Sequence, residues 1–250
     1  FSTASARKRE DTWGKVKAYS DTSQRTDDLF YEYIRILRGV QPKVFVAENV
    51  SGLVKGTAKG YFKRILLALS ESGYRVSCRL LDAQWLGVPQ SRVRTIFVGV
   101  RNDLKVGPVH PRPLPYQYSI LESLDGLTDA GEYKTLSDGT DTKRFWSASK
   151  PGESLSDACM RIDKRSSFLT HVKLNPHRPS NTVTQGSQQL YHWSEPRTLG
   201  LSELRRISGF PDDFRLTGTF AQRWERIGRA VPPLMMERIG KTIVEEVLVK

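Results

Sequence analysis

The chain has 250 residues, with 39 Lys and Arg against 27 Asp and Glu, and a formal charge of +12. That excess selects for a polyanionic partner, nucleic acid above all. Two cysteines, Cys78 and Cys159, exclude a disulfide framework and lack metal-ligand spacing; no apolar run reaches the length of a membrane span, and no signal peptide is visible.

Residues 1–27 are rich in Ser, Thr, Lys and Arg and show no sustained period. They read as a basic loop carrying Arg7, Lys8 and Arg9 with Trp13 and Tyr19, suited to phosphates or simply to solvent. From Asp27 to Leu37, the residues Leu29, Phe30, Tyr33, Ile34 and Leu37 recur at helical spacing, and Gly39 and Pro42 form the stop. The run from Val44 to Ala47 is apolar throughout, the pattern of a strand buried on both faces of a parallel sheet. It ends in Glu48 and Asn49. Ligands of open α/β sheets sit beyond the carboxyl ends of strands, so Glu48 is either a site carboxylate or the cap of the next helix.

That helix places Phe62, Ile65, Leu66 and Leu69 on one face and closes at Gly73. A strand from Tyr74 to Leu81 follows, which makes Cys78 a small buried hydrophobe. Gly87 and Pro89 mark a turn, after which Gln90, Arg92 and Arg94 alternate into a strand from Thr95 to Val100. With period two, Arg92 and Arg94 point the same way, so two guanidinium groups converge on one site. A solvated strand edge is the plainer alternative. The order helix–strand–helix–strand–turn–strand is half of an α/β sheet. Residues 107–115 carry four Pro, a linker signature, and few elements are legible from there to Ser180. A helix is expected from Leu199 to Ile207. A final one runs from Leu234 to Leu248, with Met235, Ile239, Ile243 and Val247 on one face. His171, His177 and His192 lack metal spacing.

Six motifs in order then carry a resemblance. They are Phe1-Ser2, Glu48-Asn49-Val50, Gln90-x-Arg92-x-Arg94, Arg178-Pro179-x-x-Thr182-Val183, Gly209-Phe210-Pro211-Asp212-Asp213-Phe214 and Gly228-x-x-Val231-Pro232-Pro233. Together they are similar to the C5-cytosine DNA methyltransferases over nearly the whole chain. The resemblance implies an α/β fold, a partial doubly wound Rossmann-like methyltransferase sheet with a small irregular target-recognition domain. The implied division is a catalytic-loop remnant at 1–27, the second half of the catalytic domain at 28–106, target recognition at 107–185, and a segment returning to the catalytic domain at 186–250.

The resemblance also implies chemistry. Methylation at C5 needs a thiolate on C6, and then transfer of the methyl group of S-adenosylmethionine to a cytosine flipped out of double-stranded DNA. Glu48 would serve N3 of that base, a task favouring a raised carboxyl pKa, and Arg94 its O2. Arg92 would position the phosphate and the surroundings of the nucleophile. Asn49, Arg229 and Val231 would lie toward the cofactor. Ser2, Arg7, Lys8, Arg9, Gln90 and Arg178 would lie toward DNA, Arg178 also ordering the recognition region.

Two departures stand out. The family's nucleophilic Pro-Cys-Gln segment precedes its Phe-Ser, and this sequence opens at Phe1; it also shows no Gly-rich cofactor loop. The expectation is therefore the carboxyl-terminal part of a split or truncated enzyme, inactive alone, whose missing amino-terminal half is a partner. Second, the family places Asn where Arg229 stands. A cytoplasmic, restriction-modification setting is expected. The alternatives are a non-catalytic DNA-binding or regulatory subunit, and a methyltransferase of the same fold acting on transfer RNA.

Overall fold

The computed structural model describes residues 29–54, 59–185 and 189–249. Ser2, Arg7, Lys8 and Arg9, and with them the expected catalytic-loop remnant, lie outside the described residues. The chain forms two compact units. The first comprises the described parts of 1–81, 93–110 and 241–250; the second comprises 82–92 and 111–240. Of the carboxyl-terminal segment expected at 186–250, only its last ten positions group with the first unit.

In the first unit, helix α1 (Leu29–Val40) buries Ile34 and Leu37 and half-buries Phe30 and Tyr33. It ends one residue beyond Gly39. Gln41 takes the left-handed conformation (φ 47°) that glycine usually fills, its amide bonded to Leu37 O at 2.9 Å. Strand β1 (Val44–Val50), helix α2 (Lys59–Ser70) and strands β2 (Tyr74–Asp82) and β3 (Val93–Arg101) follow. The sheet has the order β1-β3-β2. β1 pairs antiparallel with β3, not in a parallel ladder, and its burial alternates, with Phe45 and Ala47 buried and their neighbours half-buried. The strand buried along its length is the central one, β3, from Thr95 to Val100. Position in the sheet, which composition does not reveal, separates the two. Gly99 lies opposite Phe45, and a Cβ there would overlap the Phe45 ring. Phe97, Ile65 and Leu69 are fully buried, each worth about 1.5–3 kcal/mol of apolar transfer.

The second unit is mostly helical: α3 (Ile120–Leu124), α4 (Asp141–Ala148), α5 (Leu155–Asp163), α6 (Leu201–Ile207) and α7 (Phe220–Arg229), with β4 (Val172–Lys173) parallel to β5 (Leu190–Tyr191). Trp224, Leu204, Ile207, Leu199 and Val183 centre its core, and Phe145, Leu155 and Cys159 centre a satellite cluster under α4 and α5. Helix α8 (Pro233–Ile243) passes into a π-turn at Val244–Leu248. Met235, Ile239, Ile243 and Val247 are buried, the face that the spacing predicts. Among the described residues, no helix is long and apolar enough to cross a membrane.

Candidate active site

Glu48 stands inside β1, three residues before a 3₁₀ turn at Ser51–Val54. Its cross-strand partner is Ile96, while Val50 pairs with Arg94. Glu48 and Arg94 are thus diagonal neighbours on one face. Glu48 Oε1 lies 2.9 Å from Arg94 Nε, with side-chain exposures of 28% and 15%. Arg94 also donates to Val93 O at 2.8 Å. Burial pulls the Arg94 pKa down more than the adjacent Glu48 raises it. A guanidinium nonetheless stays charged, so the site holds a fixed cation against a carboxylate. Asn49 Oδ1 accepts its neighbour's amide, from Val50, at 2.8 Å.

Arg92 is held within the second unit. It lies just before β3 begins, so the period-two argument that aims both guanidiniums together does not apply to it. Its amide donates to Asp82 Oδ1 at 2.8 Å, and Asp82 also caps the turn Ala83–Leu86. Its buried guanidinium donates to Val183 O at 3.0 Å and to Gly228 O at 2.8 Å. Gln90 is buried as well. Its Nε2 donates to Ser208 Oγ at 3.0 Å, and its Oε1 accepts from Val183 N at 3.2 Å. Backbone bonds complete the join: Ser91 N to Ser180 O at 2.8 Å and Ser180 N to Pro89 O at 2.9 Å. Thr182 Oγ1 donates to Ser91 O at 2.6 Å. Three of the sequence motifs therefore meet in the second unit, around Gln90 and Arg92, and Ser208 just precedes a fourth.

Arg178 is exposed on a turn fixed by Arg178 N to Asn175 O and Ile120 N to Arg178 O. Arg229 turns its Nε to Gln185 Oε1 at 2.9 Å and its Nη2 to Glu225 at 2.5 Å. Val231 is half-buried beside buried Pro232. Sequence reasoning missed Asp82, Ser208 and the Arg197–Glu203 pair. An Asp two residues before the Gln84 amide is a legible cap signal; Ser208 carries none.

Arg197 and Glu203 make two bonds, of 2.8 and 2.9 Å, at 6% side-chain exposure on each side. Glu203 also accepts from Gly200 N at 2.6 Å, so this carboxylate starts α6. Cys159 is fully buried, and burial pushes the Cys78 thiol up to about 11.

A family model of C-5 cytosine-specific DNA methylases matches residues 12–245. The Type II methyltransferase M1.HphI of Haemophilus parahaemolyticus is 28% identical over 93% of this chain and 64% of its own length. M.BbvI of Brevibacillus brevis is 32% identical over 85% of this chain and 62% of its own. The chain thus spans under two thirds of the length of these curated relatives. Among solved structures, S. pombe Dnmt2 methyltransferase superposes with a TM-score of 0.54 at 14% identity, over 86% of this chain and 71% of that one. An E. coli prophage protein described as a DNA modification methyltransferase does so with a TM-score of 0.66 at 22% identity, over 90% and 75%. These likenesses confirm the partial Rossmann-like methyltransferase fold, and the chain belongs to the C-5 cytosine-specific DNA methylase family.

Proposed function

We propose that the chain supplies the base-binding and DNA-reading part of a DNA (cytosine-5-)-methyltransferase in a restriction-modification setting. The observation that carries this is the Glu48–Arg94 pair, 2.9 Å apart at the edge of the sheet. A flipped cytosine offers N3 and O2 as adjacent acceptors. A Glu48 carboxyl at N3 and the Arg94 guanidinium at O2 would draw electron density from the ring and make C6 more electrophilic. Type II names among the relatives support the DNA substrate and the setting.

Neither cysteine suits the nucleophile's role. Attack needs a thiolate at neutral pH, yet Cys159 is fully buried and the Cys78 thiol titrates at about 11.

S-adenosylmethionine is the methyl donor that the family implies. The polar side chains among the three residues expected near it are engaged within their own units. Asn49 turns its carbonyl to Val50 N, Arg229 is held by Gln185 and Glu225, and Val231 offers only apolar surface.

The test is methyl transfer to double-stranded DNA and to transfer RNA by the intact protein. Glu48→Gln is expected to lower transfer to DNA by about 10²–10⁴-fold, the usual weight of a general acid or base. Unchanged transfer by this variant would sink the assignment of Glu48. Transfer to transfer RNA alone would favour the other substrate class.

A further inference from the structure

We infer that Gln90 and Arg92 are positioning residues: together they grip the Val183 backbone and so present Thr184 and Gln185 to DNA. Gln90 is 1% exposed and Arg92 3%. Gln90 takes the Val183 N–H at 3.2 Å, and Arg92 takes the Val183 carbonyl at 3.0 Å. Both polar groups of one buried residue are thus held by side chains two positions apart. The other ends of the grip are anchored too, Gln90 on Ser208 at 3.0 Å and Arg92 on Gly228 O at 2.8 Å.

The next two residues are fixed in turn. Trp224 Nε1 donates to Thr184 O at 3.2 Å, and Arg229 Nε to Gln185 Oε1 at 2.9 Å. A Cβ on Gly228 would lie 2.5–2.7 Å from the backbone of Thr184 and Gln185, so only glycine lets α7 end against them. Thr184 and Gln185 nevertheless remain exposed. Exposed polar side chains on a backbone pinned at successive residues are what a rigid scaffold offers for recognition. Gln90 and Arg92 have their polar ends committed to the protein, so their part in DNA binding is exerted through this segment.

The inference rests on the DNA-methyltransferase reading. Wild-type DNA binding and transfer test that reading, while variant-to-wild-type ratios test the grip. Gln90→Ala, Ser208→Ala and Arg92→Lys, which keeps the charge but loses the fork, are measured in the intact protein. Thr184→Ala probes the presented face. KM for duplex DNA is expected to rise on the order of tenfold in each, short of the hundredfold that a misplacement of about 1 Å can cost, with kcat much less affected. The Gln90→Ala, Ser208→Ala double variant is expected to be no worse than the stronger single one, because both cut the same link. The salt slope of DNA binding is expected to stay constant in Arg92→Gln. A slope reduced by about one would make Arg92 a direct phosphate contact and overturn the inference. So would a lowered melting temperature with KM unchanged, the behaviour of an ordinary core amide. Ser208→Ala removes only one hydroxyl, so it keeps the test decisive if Gln90→Ala does not fold.

Discussion

Arg197 shows what a buried charge requires of its neighbours. Glu203 meets it with two bonds and Glu195 with a third at 2.9 Å, while Tyr133 lies under the guanidinium, 4.7 Å from the carbon to the ring centroid. Burial pulls the Arg197 pKa down, but the two carboxylates more than offset it and the net shift is upward. Glu203→Ala removes two of the three carboxylate bonds to Arg197, leaving only Glu195, and also removes the bond to Gly200 N. It is expected to cost about 3–5 kcal/mol in chemical denaturation, with Glu203→Gln losing less. His110 titrates in the opposite sense. Burial, then the nearby Arg79, lower its pKa from 6.5 to about 4, with Ser77 Oγ 3.1 Å from its Nε2. A histidine held neutral stabilises the fold above its unfolded pKa, and that contribution is lost as pH falls from about 6.5 toward 4. His171 and His192 are shifted the same way, chiefly by burial. Melting temperatures should therefore fall between pH 7 and pH 4. The His110 share is about 1–3 kcal/mol once solvent screening is allowed for, and an NMR titration of His110 checks the assignment.

At the scale of elements, local signals and tertiary packing divide the work. The region in which few elements are legible in sequence contains three short helices, each opened by a hydroxyl cap: Ser119, Thr140 and Ser154. Ser119 with Glu122 even forms a full capping box. These signals are short, and the helices they start are too brief for a period to be read. Thr219 caps α7, accepting from Gln222 N while the Gln222 side chain returns to the Thr219 amide. Thr219→Ala is expected to cost about 1 kcal/mol, measured by urea midpoint. Gly99→Ala should cost more, about 1–3 kcal/mol, because a methyl group there displaces the Phe45 ring from a packed sheet face.

For the whole molecule, the net charge overstates what is free to meet DNA. On α4, α5 and the residues just after them, Arg144 pairs with Asp163 at 2.6 Å and Arg161 with Glu153 at 2.6 Å, while Arg165 pairs with Asp141. Near α6, Arg206 pairs with Asp212 at 2.6 Å. Cations already matched by carboxylates release few counterions on binding. Arg144→Gln and Arg161→Gln are therefore expected to leave the salt dependence of DNA affinity unchanged, whereas Arg178→Gln should reduce its slope by about one. Binding measured across a salt series separates the two.

Sequence alone determined the family, because its motifs are short and keep their order, and it determined the faces of α1, α2 and α8, because helical periodicity is a local property. It singled out Glu48 but ended the strand at Ala47, whereas β1 runs through Glu48 to Val50. Only the tertiary structure decided that β1 is an antiparallel neighbour of β3, that Arg94 meets Glu48, and that Arg92 grips the backbone at Val183 and Gly228. The reason is separation along the chain. Arg92 finds its carbonyl partners 91 and 136 residues away, and Gln90 finds Ser208 118 residues away. No local period encodes such contacts; they exist once the core around Val183, Leu204 and Trp224 has closed.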